Sequence, residues 1–585
     1  MVDVLIKNAF VVDGSGRPGF RADVAVKGDT ITGVGDLRHL GAKRTIDAEG
    51  LVLSPGFIDA HAHSDFAIIH NPPSQSQVAQ GVTTEVSCNC GKSPFKRRPT
   101  PPPRKKIPDP DWPPPHAYRQ TPPPKINPPH PTPTTGNPRR PSPQYHFTPR
   151  TYPPAHYFEL LKTQGIGINT FPLVGHNSVR AKVLGMDNRP CTDDELRRMK
   201  ELVAEAMELG VPGFSSGLTY TPGMGATNEE IVALAQVVSE YGGIYTTHMS
   251  NYSGAGIEKA MDFAVETAWK SGMRLQFSHV APHGEELYGK GQWLSDLIGG
   301  YRARGVDCCA DVPSYPTIGV WWGPRAIFPG WLYNWKKPWP QQIREIQDAI
   351  RDPEQNARIR EHIAGVIAGD KTSFLGQFFT FHNWDSIFLF ECRPDSPYHK
   401  YVGQSVQQIA DAEGMDGTDL YFDLCLREGE ALSTVNILEK EEDRKAFFQS
   451  PWTMFGSDIY AIDAEHPDAC FSRFQIHPRN FGHAIYVIET IVQKNRWLTL
   501  EQAIHKMSGL TASHFNMHDR GFIRSGCKAD ITVFSLENLH ERATFLHPIA
   551  YPTGIEHVFV NGVETFTNGR MTGDLGGVAL LNRRR

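Results

Sequence analysis

The stretch that decides the fold is Pro55-Gly56-Phe57-Ile58-Asp59-Ala60-His61-Ala62-His63. Its apolar run reads as a short strand. Side chains two apart on a strand point the same way, so His61 and His63 can face one metal ion. An H-x-H pair alone carries little, because many such pairs lie on surfaces. Two further histidines change its weight. His248 ends Gly243-Ile244-Tyr245-Thr246-Thr247, and His279 ends Arg274-Leu275-Gln276-Phe277-Ser278. Each is the first strong ligand after an apolar run. A lone histidine there is more often a core residue satisfied by hydrogen bonds. Two in successive strand–helix units, beside an H-x-H, point to metal. Imidazole ligands of this number suit one or two zinc ions, and iron, nickel, cobalt and manganese are also compatible.

Outward from this stretch, strands and helices alternate. Candidate strands cover 56–61, 83–88, 168–173, 213–216, 243–247, 274–278, 306–310 and 452–455. Helical patterns lie between them at 193–209, 228–241 and 257–271, the first opened by a Thr192 cap followed by acidic residues. Eight strands with intervening helices predict an α/β fold, a parallel (β/α)8 TIM-like barrel with its active site at the C-terminal mouth. A doubly wound open sheet is the alternative, but no Gly-rich phosphate loop follows the first strand. Asp458, in Phe455-Gly456-Ser457-Asp458, follows the eighth strand. A carboxylate there can take a proton from metal-activated water and deliver it to a leaving amine. The competing reading is a helix N-cap.

Both ends of the chain are strand-rich. Residues 1–54 and 518–585 therefore read as one composite β-sandwich domain, with 55–517 as the barrel. Between the seventh and eighth strands lies an insertion, about 316–450, with Trp321, Trp322, Trp331, Trp335 and Trp339 near its start. It reads as a lid or wall over the mouth, or as an added helical layer with ordinary packing. Residues 92–156 hold half of the 46 prolines and no Leu, Val or Glu. Such a composition cannot bury a core. Two readings stand: a genuine proline-rich segment, or a compensated frameshift or sequence error.

Bulk properties exclude several classes. With 585 residues, a barrel of about 250 or more plus a second domain is expected. The net charge of −5 gives no general attraction to nucleic acid or anionic membrane. No apolar run approaches the roughly 20 residues of a membrane span. Nine cysteines in so long a chain do not make a disulfide scaffold. The expected location is cytoplasmic, and the sequence leaves open association into a homo-oligomer.

With these residues placed, the chain resembles the amidohydrolase superfamily, and within it the D-aminoacylase (N-acyl-D-amino-acid deacylase) family. The similar segments are 55–63, Gly81-Val82-Thr83-Thr84, Asn89-Cys90-Gly91, Leu173-Val174-Gly175-His176 and Ser216-Gly217-Leu218-Thr219-Tyr220-Thr221-Pro222-Gly223. Asp519-Arg520-Gly521-Phe522-Ile523 with Gly526, Ala529 and Asp530, and Val560-Asn561-Gly562, resemble the family's ending. The resemblance implies that Cys90 is a metal ligand, although Cys88 lies two residues earlier and shares its strand parity. It implies a tight site of Cys90, His248 and His279, a second site at His61 and His63, and Asp458 as the catalytic aspartate. It also implies that Arg479 and Tyr315 bind the substrate carboxylate.

The departures bear on substrate. Where the family has Met-Arg-Asp-Glu after its fifth-strand histidine, this chain has Met249-Ser250-Asn251-Tyr252. The lysine that follows the sixth-strand histidine is missing from His279-Val280-Ala281-Pro282-His283. His283 could stand in for it, but reads first as a surface histidine. The expected function is metal-dependent hydrolysis of a linear amide C–N bond in a small-molecule substrate, foremost an N-acyl-D-amino acid. The alternatives are opening of a cyclic amide such as a hydantoin, cleavage of an aryl amide, and a non-catalytic binding protein on a barrel scaffold.

Overall fold

The computed structural model describes residues 1–95, 152–252, 254–316, 319–322, 328–332, 337, 339–369, 383–437, 439–465 and 476–582. The N-terminal strands are β1 (Val2–Val11), β2 (Phe20–Lys27), β3 (Thr30–Gly35), β4 (Ala42–Asp47) and β5 (Val52–Pro55). The barrel strands are β6 (Phe57–Asp59), β7 (Val82–Ser87), β8 (Asn169–Pro172), β9 (Val174–Gly175), β10 (Gly213–Gly217), β11 (Ile244–His248), β12 (Leu275–Phe277) and β13 (Cys308–Val312). The insertion supplies β14 (Gly319–Trp322), β15 (Ile387–Glu391) and β16 (Ser433–Asn436), and β17 (Thr453–Phe455) returns to the barrel. The C-terminal strands are β18 (Ile531–Phe534), β19 (Ile555–Val560), β20 (Val563–Thr567) and β21 (Arg570–Met571).

The barrel is an all-parallel ring. β6, β7 and β8 pair in order, as do β9, β10, β11, β12, β13 and β17. Only Leu173 separates β8 from β9, and its N–H donates to Ser87 O at 3.1 Å, so the two act as one strand. The ring closes between its first and eighth strands: Ala60 N–H donates to Phe455 O at 3.1 Å, and Ala62 bridges Ile459 in parallel. The period of two then sorts the side chains. Ile58, Val86, Phe171, Ile244, Cys309 and Met454 point inward and pack on Phe515 and Met517, which follow and close the bottom. Phe57, Phe214, Leu275, Phe277 and Phe455 point outward into the helical layer of Val203, Ile231, Ile257 and Leu294. The predicted helix cap is present: Thr192 and Glu195 form a reciprocal capping box on the helix Asp193–Glu208.

The two chain ends share one sheet. β18 pairs antiparallel with β5, joining a nine-stranded sheet whose members β1, β2, β4, β5, β18 and β19 all feed one core around Ile6, Val24, Ile531 and Phe559. The insertion forms a three-stranded antiparallel sheet with its own core of Phe328, Ile346, Leu389, Tyr421 and Leu424. Trp335 and residues 96–151, most of the proline-rich stretch, lie outside the described residues. The described ends of that stretch meet, with Tyr152 N–H donating to Pro94 O at 2.8 Å. No helix among the described residues is long and apolar enough to cross a membrane.

Asp530 ties the composite sheet to the barrel. It is buried, pairs with buried Arg520, and accepts from Asn561 N–H at 2.7 Å and from Asn169 Nδ2 of β8 at 3.2 Å. Removing one partner of a buried pair strands the other charge and costs about 3–5 kcal/mol. Asp530→Ala is therefore expected to lower the unfolding midpoint by several degrees in a thermal melt, and Asp530→Asn to lower it less.

Candidate metal centre

The closing seam carries the first two candidate ligands. Buried Asp59 accepts from His61 N–H at 3.1 Å and from Ser457 N–H at 2.9 Å, and Ser457 Oγ donates to its other oxygen. Asp458 N–H donates to His61 O at 2.7 Å. These bonds put His61, His63 and Asp458 face to face. Asp458 Oδ1 lies 3.0 Å from His63 Nε2 and 3.5 Å from His61 Nε2. The side chain of His61 is fully buried, while His63 and Asp458 are 18% and 22% exposed, so the group opens to solvent on the Asp458 side.

Cys90 sits on a turn after β7 with left-handed φ of 53°. Asn89 pins the turn, donating from Nδ2 to Val86 O at 2.9 Å and accepting from Thr246 Oγ1 at 3.0 Å. Gly91 follows at φ 72°, where a Cβ would overlap the Asn177 side chain. The turn separates the two cysteines: Cys88 packs in the barrel interior beside Leu173, and Cys90 reaches the mouth. Cys90 Sγ lies 3.4 Å from His61 Nε2 and 3.5 Å from His279 Nε2. His279 Nε2 in turn lies 2.8 Å from His248 Nδ1. Two groups result, His61–His63–Cys90–Asp458 and Cys90–His248–His279, with the ligand atoms of each within 4.8 Å of one another and Cys90 common to both.

This donor set fits divalent metal. With zinc–sulfur near 2.3 Å and zinc–nitrogen near 2.0–2.1 Å, a tetrahedral edge from sulfur to nitrogen is about 3.5 Å. Both Cys90 distances match it. Electrostatics agree. Burial pushes the Cys90 thiol up, but the charge of His61 and hydrogen bonds from His248, His279 and His61 outweigh it and hold the thiol well below its usual range. Burial likewise opposes ionisation of Asp458, and the His63 hydrogen bond with the charges of Arg479, His279 and His61 overcomes it. His63 is raised to about 9, against burial, by hydrogen bonds to Asp458 and Cys90. His248 falls to about 4 through burial, so it is neutral and ready to ligate.

Sequence reading missed the residues behind the ligands. Asp311 lies 3.3 Å from His61 Nδ1 through one oxygen and accepts His279 N–H at 2.8 Å through the other. A carboxylate on the far nitrogen of a ligating histidine fixes its tautomer and raises its basicity. The signal was present, because alternation along Cys308-Cys309-Ala310-Asp311-Val312 puts Asp311 on the inner face with Cys309. Thr219 Oγ1 plays a similar part at His248 Nε2, at 2.6 Å.

The predicted carboxylate-binding residues form one wall of the mouth. Arg479 opens the helix Arg479–Tyr486 and donates from Nη2 to Asp458 O at 3.1 Å. Its Nε and Nη1 are buried and, among the described residues, without partner. The Tyr315 hydroxyl is also buried and unpartnered; its ring meets His477 edge-on at 5.3 Å, and His477 Nδ1 accepts the Arg479 N–H at 3.0 Å. The insertion adds Phe390, stacked on His477 at 5.7 Å. The surface reading of His283 is corrected: it is buried and faces Glu439 at 3.3 Å, because the insertion covers it.

Residues 44–287 match the amidohydrolase family. Among similar curated proteins, the N-acyl-D-glutamate deacylase of Alcaligenes xylosoxydans xylosoxydans is 29% identical over 97% of this chain and 94% of its own length. The D-aminoacylase of the same organism is 28% identical over 99% and 97%. A solved D-aminoacylase structure concerned with that enzyme's binuclear metal centre superposes over 100% of both chains with a TM-score of 0.70 and 26% identity.

Two outcomes follow for zinc binding. Asp311→Asn is expected to weaken it about 10–100-fold, read by competition with a fluorescent chelator. The His63 proton must leave before its nitrogen can ligate, and that proton is held up to about pH 9 in the metal-free site. Zinc affinity should therefore climb as pH rises from 6 to about 9, measured by the same competition across pH.

Proposed function

We propose that the chain is a metal-dependent hydrolase that deacylates N-acyl-D-amino acids, with His61, His63, Cys90, His248 and His279 holding one or two zinc ions. The observation that carries this reading is the placement of Asp458, with one oxygen toward His63 and His61 and the other 3.4 Å from Arg479 Nη2. The carboxylate thus lies between the candidate ligands and the candidate substrate anchor. Zinc held there would polarise the amide carbonyl and favour ionisation of water near neutral pH.

The protein's own groups divide the remaining work. Asp458 is anionic at neutral pH, so Oδ1 can accept the proton of the attacking water and pass it to the leaving amine nitrogen. Arg479 offers Nε and Nη1 as a ready fork for the two oxygens of an α-carboxylate. The Tyr315 hydroxyl gives a further donor on the same wall. His283, turned to Glu439, does not supply the missing cation, so carboxylate recognition rests on Arg479. The eight cysteines among the described residues are all free, which suits a reducing, cytoplasmic setting.

Asp458→Asn should cut turnover by about 10²–10⁴-fold or more while zinc content by elemental analysis stays that of the wild type; near-normal activity would sink the mechanism. Arg479→Lys keeps the charge beside Asp458 but loses the fork. It should lower kcat/KM for N-acyl-D-amino acids about 10–100-fold. A panel adding hydantoins and aryl amides checks the substrate class.

A further inference from the structure

His248 and His279 come from neighbouring strands, and the ladder between β11 and β12 changes character where they meet. Ser278 N–H donates to Thr247 O at 3.0 Å, a direct rung. In a parallel ladder the next rung would run from Met249 N–H to Ser278 O. Tyr252 takes its place. Its hydroxyl accepts Met249 N–H at 2.8 Å and donates to Ser278 O at 3.1 Å. The chain from Met249 to Tyr252 thus curls back, and one side chain bridges the two backbones. Both bridged groups adjoin candidate ligands: Met249 follows His248, and Ser278 precedes His279.

The ring is placed as tightly as the hydroxyl. Tyr252 is buried, and its ring centroid lies 5.1 Å from that of His248, edge-on at 72°. It lies equally 5.1 Å from that of His279, tilted at 42°. Tyr252 therefore meets both imidazoles and both backbones that carry them. It is also one of the departures in sequence, standing where the resembling family has Glu.

Spacing is what these contacts control. His248 Nδ1 and His279 Nε2 stand 2.8 Å apart. Two nitrogens on one tetrahedral zinc stand about 3.3 Å apart, so the pair has to open slightly to bind. A direct rung, about 2.9 Å from nitrogen to oxygen, would draw the two backbones together and the imidazoles with them. A hydroxyl set between the same two atoms holds them farther apart. We propose that Tyr252 is a positioning residue of the metal centre, spacing His248 from His279 for the zinc they would hold with Cys90. The inference rests on the metal-centre reading and assigns the residue that sets one half of it. Without the hydroxyl, Met249 N–H and Ser278 O either close the rung or stay buried and unpaired, and in both cases the spacer is gone.

The test is metal binding by the full-length protein. Tyr252→Phe is expected to bind zinc at least tenfold more weakly than the wild type, read by chelator competition. Cobalt(II) in place of zinc gives a second readout, because its visible bands follow ligand geometry and its near-ultraviolet thiolate band reports Cys90. The variant should keep the thiolate band and shift the visible ones. Tyr245→Phe removes another buried hydroxyl, bonded to Ser216 Oγ at 2.8 Å, and should change neither readout. A merely structural role would lower the melting temperature of Tyr252→Phe and leave its zinc affinity and cobalt bands at wild-type values. That result, or an equal loss of affinity in Tyr245→Phe, overturns the positioning role while leaving the metal-centre reading intact. A wild type that binds neither ion, or binds cobalt without a thiolate band, overturns the metal-centre reading and the inference with it. Should Tyr252→Phe not fold, a crystal structure of the zinc-loaded wild type decides. The Tyr252 hydroxyl is expected between Met249 N and Ser278 O with zinc on His248 and His279; a direct Met249–Ser278 rung, or zinc away from either histidine, overturns the inference.

Discussion

Asp59 latches the first barrel strand to the eighth, and the mouth of the barrel is arranged around that latch. One carboxylate accepts the N–H of His61 from one side of the seam and the N–H and hydroxyl of Ser457 from the other. Burial raises its pKa to about 6 even against these donors, so the latch is a charged acceptor at neutral pH in a place without water. The chain beside it has no room to spare: a Cβ at Gly456 would stand 2.5 Å from His61 Cβ and 2.9 Å from Asp311 Oδ2. Closing the barrel and bringing Asp458 against His61 and His63 are thus the same event. A ring that failed to close would lose the geometry of the candidate metal centre together with its inner core.

The barrel and its histidines were legible because apolar runs of fixed parity leave few choices. His248 ends its strand and His279 lies two residues beyond Phe277, the end of its own, and neighbouring strands run in parallel register, Gly217 beside His248 and Thr247 beside Phe277. Strand ends in register put candidate ligands from different strands at one height. Cys90 was not decidable from parity, because Cys88 shares it. What separates them is backbone: both take left-handed φ, 64° and 53°, so the chain leaves the strand direction between them. Alternation rules end where the strand ends. His283 was misread for a different reason. Its burial comes from Glu439, over 150 residues away, and no local pattern carries such a contact.

Near the eighth strand the wall is polar and dry, with a guanidinium, a phenol and the low-pKa imidazoles of His477 and His483, whose charging is opposed first by burial and then by the Arg479 charge. The Arg479 guanidinium already faces Asp458 through Nη2, and its Nε and Nη1 are left for an arriving anion. Near the fourth strand the loop is held from behind, where Arg180, paired with Glu230, donates to Pro222 O. The insertion, with its own core, touches the polar side through Phe390, so chain added between the last two strands bears on the anchor more than on the ligands.

The mouth also concentrates strain. Cys90, His279 and Asp458 are non-glycine residues at positive φ, a conformation that costs of order 1–2 kcal/mol each. All three follow a strand, and the turn swings each side chain from the strand direction toward a common point. Such strain persists only where the surroundings over-determine it. Here Asp311 takes the His279 N–H, Asn89 pins the turn that carries Cys90, and the closing seam holds Asp458. Charge completes the argument. Cys90 and Asp458 are held toward their anionic forms, and His61, facing Asp311 and Cys90, and His63, facing Asp458 and Cys90, toward their protonated forms. A divalent ion that displaces those protons restores the same balance with bonds of fixed direction. The site is therefore shaped to hold positive charge before the metal arrives, and the protons keep the metal's place.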